Sequence, residues 1–152
     1  YLEWQDIPLV SEMDTLALNM HEGPLSSPVA VGMGNPHAVF FVADAEAIDL
    51  ETVGPLLEHH ALYPNRTNIE AAQIISRNQI RLRVWERGVG ETEACGSGAC
   101  AALVAAARRD LTGRKAHVDL NGGILKIEWR NDNHVLMTGP TELSFTGTWM
   151  LS

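Results

Sequence analysis

RVWERGVGETEACGSGACAALVAAARRD, residues 83–110, reads as strand, glycine-rich turn and helix. Residues 83–86 close a β-type run, and Gly88 and Gly90 break it. A helix is expected over about residues 97–109. Its centre, residues 99–107, carries no charged face. A helix that is apolar all round must be buried on all sides, and small side chains let strands approach closely. This predicts a central helix wrapped by sheet, with Cys95 at its N-terminal mouth. Free N–H groups and the positive end of the helix dipole favour an anion there. Both effects are expected to lower the thiol pKa, and the same N–H groups can hold a carboxylate.

Working outward, residues 1–14 are mixed and are expected to be a linker or an arm packing elsewhere, with residues 15–152 as the domain. Residues 15–20 (TLALNM) alternate as a short strand, and residues 21–28 (HEGPLSSP) carry turn chemistry. Strands are expected at 29–33 and 37–42, flanking the Gly34-Asn35-Pro36-His37 turn. Asp49 can cap a helix over about 50–60, with Pro55 setting its first turn apart. Residues 68–76 and 79–86 flank Arg77-Asn78 as a hairpin. Strands at 115–120, 124–130 and 134–138 are joined by Asn121-Gly122-Gly123 and Asn131-Asp132-Asn133. Residues 141–151 form a last β-like run. The fold class is therefore α+β, mainly antiparallel strands around a central apolar helix, with no helix–strand alternation of the doubly wound kind.

Composition narrows the function. The chain has 152 residues, 45% hydrophobic and 20% charged, with a net charge of −8. That charge argues against nucleic acid or an anionic membrane as partner. No apolar run reaches the length of a membrane span, and no signal peptide is recognisable. Cys95 and Cys100 lie five apart on one helix and cannot bridge, which fits a reducing cytoplasm. The chain opens mid-pattern at Tyr1, as expected for a piece of a longer protein.

Each chemical candidate has a bland alternative. Free cysteines are commonly buried core residues, but the Gly96-Ser97-Gly98 helix start favours chemistry at Cys95. Cys100 shares helical spacing with Leu103, Val104 and Ala107 and reads as core. The glycines lack a third dinucleotide-fingerprint glycine and a following Gly-Lys-Ser/Thr. The six histidines show no zinc spacing. Glu86 and Arg87 default to a surface ion pair, and Asn68 to a strand edge.

Three stretches then carry a resemblance. Gly34-Asn35-Pro36-His37, Pro64 with Thr67-Asn68-Ile69-Glu70, and the run from Arg83 through Cys95-Gly96-Ser97-Gly98-Ala99 resemble diaminopimelate epimerase in order and spacing. The resemblance implies a cofactor-independent epimerase that needs no pyridoxal phosphate. Such an enzyme interconverts LL- and meso-diaminopimelate in lysine and cell-wall precursor synthesis. Two cysteines face opposite sides of the α-carbon; one removes a proton and the other delivers one. Carried onto this chain, Cys95 is one catalytic acid/base. His37 and Glu86 lie near the reacting amino group and the cysteines. Asn35, Asn68 and Arg87 hold the distal amino acid end, with Glu86 beside them. Gly96 and Ser97 offer donors to the reacting carboxylate.

The resemblance also implies a departure. The family has two pseudo-symmetric halves, and this chain matches the C-terminal one. The second cysteine belongs to the missing N-terminal half, and Cys100 cannot replace it from the same helix. The chain alone is expected not to epimerise. It is also expected to expose apolar surface and to self-associate as a homo-oligomer. The competing readings are a proline racemase-like enzyme on the same fold and a binding domain with an inert cysteine.

Overall fold

The computed structural model describes residues 1–150. In chain order its strands are β1 (His21–Glu22), β2 (Leu25–Ser26), β3 (Val29–Gly32), β4 (Pro36–Val42), β5 (Asn68–Ser76), β6 (Gln79–Glu86), β7 (Gly90–Thr92), β8 (Lys115–Leu120), β9 (Gly123–Trp129) and β10 (Val135–Thr138). Its helices are α1 (Leu50–Glu58) and α2 (Gly96–Arg108). Eight strands make one sheet in the order β10-β9-β8-β6-β5-β4-β3, with β7 added against β6. Strands β1 and β2 form a separate small hairpin.

Helix α2 is the centre of the first core. Ala99, Ala101, Ala102, Leu103, Ala105 and Ala106 are fully buried, and the helix packs against β3, β4, β5, β6, β8, β9 and β10. Alternation along the strands supplies the other side. Val39, Ala72, Ile80, Leu82 and Val84 point at α2 with Val118 and Ile127. The intervening Ala38, Phe40, Ile69 and Ala71 point the opposite way, into a second core with α1. The period of two thus gives one sheet two apolar faces.

The α+β class with mainly antiparallel pairing around a central helix stands. Two pairs are parallel: β4 with β5 across α1, and β6 with β8 across α2. Each contains a strand–helix–strand crossover, so some helix–strand alternation exists where none was expected. Their reach exceeds what a local pattern reveals.

Other expectations are corrected. Residues 15–20 are turns and bends, and the pairing falls instead on β1 and β2, inside the expected turn at 21–28. Two-residue strands are too short to show alternation. Residues 1–14 fold as turns against this domain: Ile7 is fully buried and Leu9 nearly so, both in the second core. The Tyr1 backbone carbonyl accepts from Gly32 N–H, and the Thr15 carbonyl accepts from Ala30 N–H, so this segment covers the β3 edge. Residues 141–150 carry no strand, and Leu143, Phe145, Trp149 and Met150 are exposed. Leu151, the end of the expected run, lies outside the described residues.

Helix α1 is continuous through Pro55 rather than divided there, and it ends at Glu58 with His59 as C-cap. Asp49 caps it by accepting from Thr52 N–H at 3.2 Å. Gly54 lies under the Trp85 ring: a Cβ there would sit 2.5 Å from Trp85 Cδ2. The ring is anchored, because Nε1 donates to Glu58 Oε2 at 2.8 Å. Gly54→Ala is therefore expected to destabilise by about 1–2 kcal/mol, overpacking outweighing the better helix propensity of alanine. A urea titration followed by tryptophan fluorescence checks this; an unchanged or higher midpoint would show that the ring yields.

Candidate active site

Strand alternation and register bring the polar residues together. In the β4/β5 parallel pair, His37 stands opposite Asn68 and Val39 opposite Glu70. In the β5/β6 pair, Glu70 stands opposite Val84. All of these lie on the face that carries Val39, Ala72 and Val84 against α2. The helix mouth closes the cluster. A Cβ placed on Gly98 would lie 3.2 Å from both Cys95 Sγ and Glu70 Oε1, and 3.3 Å from Val84. Only glycine allows this approach without displacement.

Cys95 is the N-cap of α2, in extended backbone conformation, and its sulfur accepts from Gly98 N–H at 3.3 Å. Sulfur thus occupies the position that a serine or aspartate oxygen usually fills. Ser97 Oγ lies 3.6 Å from the same sulfur. The expected low thiol pKa is not what the surroundings produce. Burial pushes the Cys95 thiol up, and the Ser97 and Gly98 hydrogen bonds pull only part of the way back. Glu70 and Glu86 add to the upward push. Desolvation outweighs the helix terminus here. Cys100 is partly buried against the first core, as expected, and burial pushes its thiol up to about 11. Both cysteines are free.

His37 is fully buried. Its Nδ1 lies 2.5 Å from Glu70 Oε1, and its Nε2 lies 3.0 Å from Asn35 Oδ1. Asn35 Nδ2 in turn donates to Ser97 Oγ at 3.4 Å. Glu70 is also fully buried, its Oε2 has no hydrogen-bond partner, and burial holds its carboxyl above the usual carboxylate range despite His37.

A second cluster orders the turn between β6 and β7. Gly88 and Gly90 adopt φ of 76° and 120°, which glycine permits without strain. Asn68 Nδ2 donates to the Pro36 carbonyl at 2.8 Å, and Asn68 Oδ1 accepts from Arg87 N–H at 2.9 Å. Asn68 therefore ties β4 to the turn. Arg87 Nη1 reaches the Asn65 carbonyl. Glu86 accepts from Thr92 Oγ1 at 2.6 Å. Among the described residues Glu86 and Arg87 do not pair with each other; each is held by other partners.

The structure thus gathers Cys95, Gly96, Ser97, Asn35 and His37 around the helix mouth. It places Asn68, Glu86 and Arg87 at the adjoining end of β5 and β6. Sequence reasoning gave no role to Glu70 or to Glu58. Glu58 is buried and accepts from Gly88 N–H at 2.9 Å, Arg66 Nη1 at 3.2 Å and Trp85 Nε1. It thereby supports the turn that carries Arg87. Asn68 and Glu70, two apart at the start of β5 with Ile69, Ala71 and Ala72 around them, were the available signal for a polar cluster on a buried face.

Among the described residues no group of three His, Cys, Asp or Glu side chains could hold a metal ion. None of the described helices is long and apolar enough to cross a membrane.

A family model described as diaminopimelate epimerase matches residues 29–144. A diaminopimelate epimerase of Rhodospirillum centenum is 62% identical over 146 residues, 96% of this chain and 50% of that protein. Diaminopimelate epimerases of Acidiphilium cryptum and Erythrobacter litoralis are 56% and 53% identical, covering 96% and 97% of this chain. They are covered over 53% and 55% of their own lengths. The chain spans about half the length of the curated relatives it matches, and the matched half contains the whole cluster around Cys95: this chain belongs to the diaminopimelate epimerase family.

Proposed function

We propose that this chain supplies one of the two thiols of a cofactor-independent epimerase acting on diaminopimelate in lysine biosynthesis. The observation that carries the reading is Cys95 capping α2 beside Gly96 and Ser97, whose amides open the helix. A substrate carboxylate would accept from those N–H groups. The Cys95 thiolate would take the α-proton and become a thiol. The electron pair left on carbon would delocalise into the carboxylate at the positive end of the helix. A second thiol would deliver a proton to the opposite face and become a thiolate, so protons and charge balance over the turnover. In the reverse direction the two exchange roles. Cys100 shares α2 with Cys95, so the second thiol is assigned to the part of the relatives that this chain does not cover.

His37 and Glu86 would act on the reacting amino group, and Asn35, Asn68 and Arg87 would hold the distal amino acid end. A substrate with two similar ends needs such a clamp. A raised thiol pKa in the free chain fits this scheme, because a bound ammonium group beside Cys95 would favour the thiolate. The exposed Leu143, Phe145 and Trp149 would meet the missing half or a second copy; a clean monomer by light scattering would count against self-association.

The test is α-proton exchange of LL-diaminopimelate in deuterium oxide. The chain is assayed alone and with a polypeptide covering the other half of the relatives' length. No exchange alone, and exchange with inversion on complementation, is the expected result. Inversion by the chain alone would remove the need for a second half. No exchange in either case would leave Cys95 without this chemistry.

A further inference from the structure

The polar groups around Cys95 form one continuous chain: Glu70 to His37 at 2.5 Å, His37 to Asn35 at 3.0 Å, Asn35 to Ser97 at 3.4 Å and Ser97 to Cys95 at 3.6 Å. Such a chain can run in either direction, and the two directions are chemically different. In the forward direction His37 Nε2–H donates to Asn35 Oδ1, and Asn35 Nδ2–H donates to Ser97 Oγ. Ser97 then keeps its single hydrogen for the sulfur. In the reverse direction the Asn35 amide is turned over, Ser97 donates to Asn35, and no O–H is left for Cys95. The reverse also requires His37 to carry its proton on Nδ1 and Glu70 Oε1 to accept it, either as a carboxylate or with the acid proton stranded on Oε2, where no partner lies.

Glu70 decides between them. Its side chain is fully buried, and Oε2 meets no donor. An ionised carboxylate there would leave a charged oxygen unsatisfied in the interior, which is costly. The protonated acid meets His37 Nδ1 as a donor and leaves only a carbonyl unpaired. Burial also holds this carboxyl above its ordinary range. With Nδ1 accepting, the imidazole proton sits on Nε2, and the forward direction follows.

We propose that Glu70 is a positioning residue that sets the direction of the His37–Asn35–Ser97 chain, so that it ends with an O–H donated to the Cys95 sulfur. The inference rests on the reading of Cys95 as a proton-transferring thiol. It gives that thiolate two donors, Ser97 O–H and Gly98 N–H, in a site where burial otherwise opposes it. The titratable groups acting on Cys95 are Glu70 on β5 and Glu86 on β6. A protonated Glu70 removes one of the two acidic charges that would oppose the thiolate.

The test compares wild type, Glu70→Gln, Glu70→Met and Ser97→Ala in this chain. It measures iodoacetamide alkylation of Cys95 by peptide mass spectrometry and the His37 ring ¹⁵N shifts. Glutamine keeps a donor toward Nδ1, so Glu70→Gln should alkylate like wild type and keep the proton on Nε2. Glu70→Met has no donor, and alkylation below the ordinary thiol range should slow about tenfold, the worth of one hydrogen bond to a charged group. Proton density should then appear on Nδ1. Ser97→Ala should slow alkylation equally while leaving the His37 shifts unchanged, which keeps the test informative if Glu70→Met fails to fold.

If Glu70 acts only as a negative charge, both Glu70 variants would alkylate faster, and the proposal falls. Equal rates and unchanged shifts across the Glu70 variants would overturn it too. A wild-type Cys95 that stays inert would count against the proton-transfer reading instead, and the His37 shifts would still decide the direction of the chain.

Discussion

Cys95→Ala is expected to lower α-proton exchange in the complemented enzyme about a thousandfold, within the range lost with a general acid–base group. Two losses are combined in that variant, and they separate. The sulfur caps α2 by accepting from Gly98 N–H, and removing a cap costs about 1 kcal/mol of stability. Cys95→Ser restores an acceptor at the same place and should recover most of that stability. It should not recover exchange, because a hydroxyl at this site ionises far less readily than a thiol. Melting temperature and exchange rate measured on both variants should therefore diverge: serine stable and inactive, alanine less stable and inactive. A serine variant retaining exchange within about tenfold of wild type would show that Cys95 is not the group that moves the proton.

The contrast between Cys95 and Glu70 shows where local sequence carries a site and where it does not. Cys95 announces itself through its immediate neighbours: glycines, a helix start and an apolar helix behind it. Those are local signals, and they locate α2 to within a residue at each end. What they could not provide is the balance of effects on the thiol. The helix terminus is written in residues 95–98, but burial and the Glu70 and Glu86 carboxyls come from other strands. His37 and Glu70 are 33 positions apart and meet only through the parallel β4/β5 pair. That pairing depends on the crossover through α1, which no hairpin signal marks.

The same division runs through the fold. The turns at Arg77-Asn78, Asn121-Gly122-Gly123 and Asn131-Asp132-Asn133 join antiparallel neighbours, because each turn and its two strands lie in one short stretch. The β1–β2 hairpin escaped because its strands are only two residues long. Strand β7 escaped because Gly90, Glu91 and Thr92 have neither alternation nor β-branched bulk beyond Thr92; the pairing is imposed by the turn at Gly88. Residues 1–14 are mixed in composition and show no period, yet Ile7 and Leu9 enter the second core, with Trp4 and Met13 packed against it. A reading of the segment as a whole conceals its few anchoring side chains.

Leu103→Ala is expected to destabilise the chain by about 3 kcal/mol, within the range for truncating a fully buried leucine. Leu103 is the largest side chain on the buried stretch of α2, and none of it reaches solvent. Around it Ala99, Ala102 and Ala106 lie on the same helix with no bulk to close over a void. On the sheet side Leu82, Val84 and Val118 are also fully buried and held by paired strands. Neither wall can collapse, so the cost should include both the lost transfer energy and most of a cavity term. A loss of that size is a large share of a typical domain's total of about 5–15 kcal/mol. The measurement is the urea midpoint with the slope held as a check, since an unchanged slope assigns the loss to the folded state. A loss below about 1 kcal/mol would mean that the sheet closes around α2. It would then also be soft enough to move His37 and Glu70 relative to Cys95, and the site's geometry would depend on ligand rather than on packing.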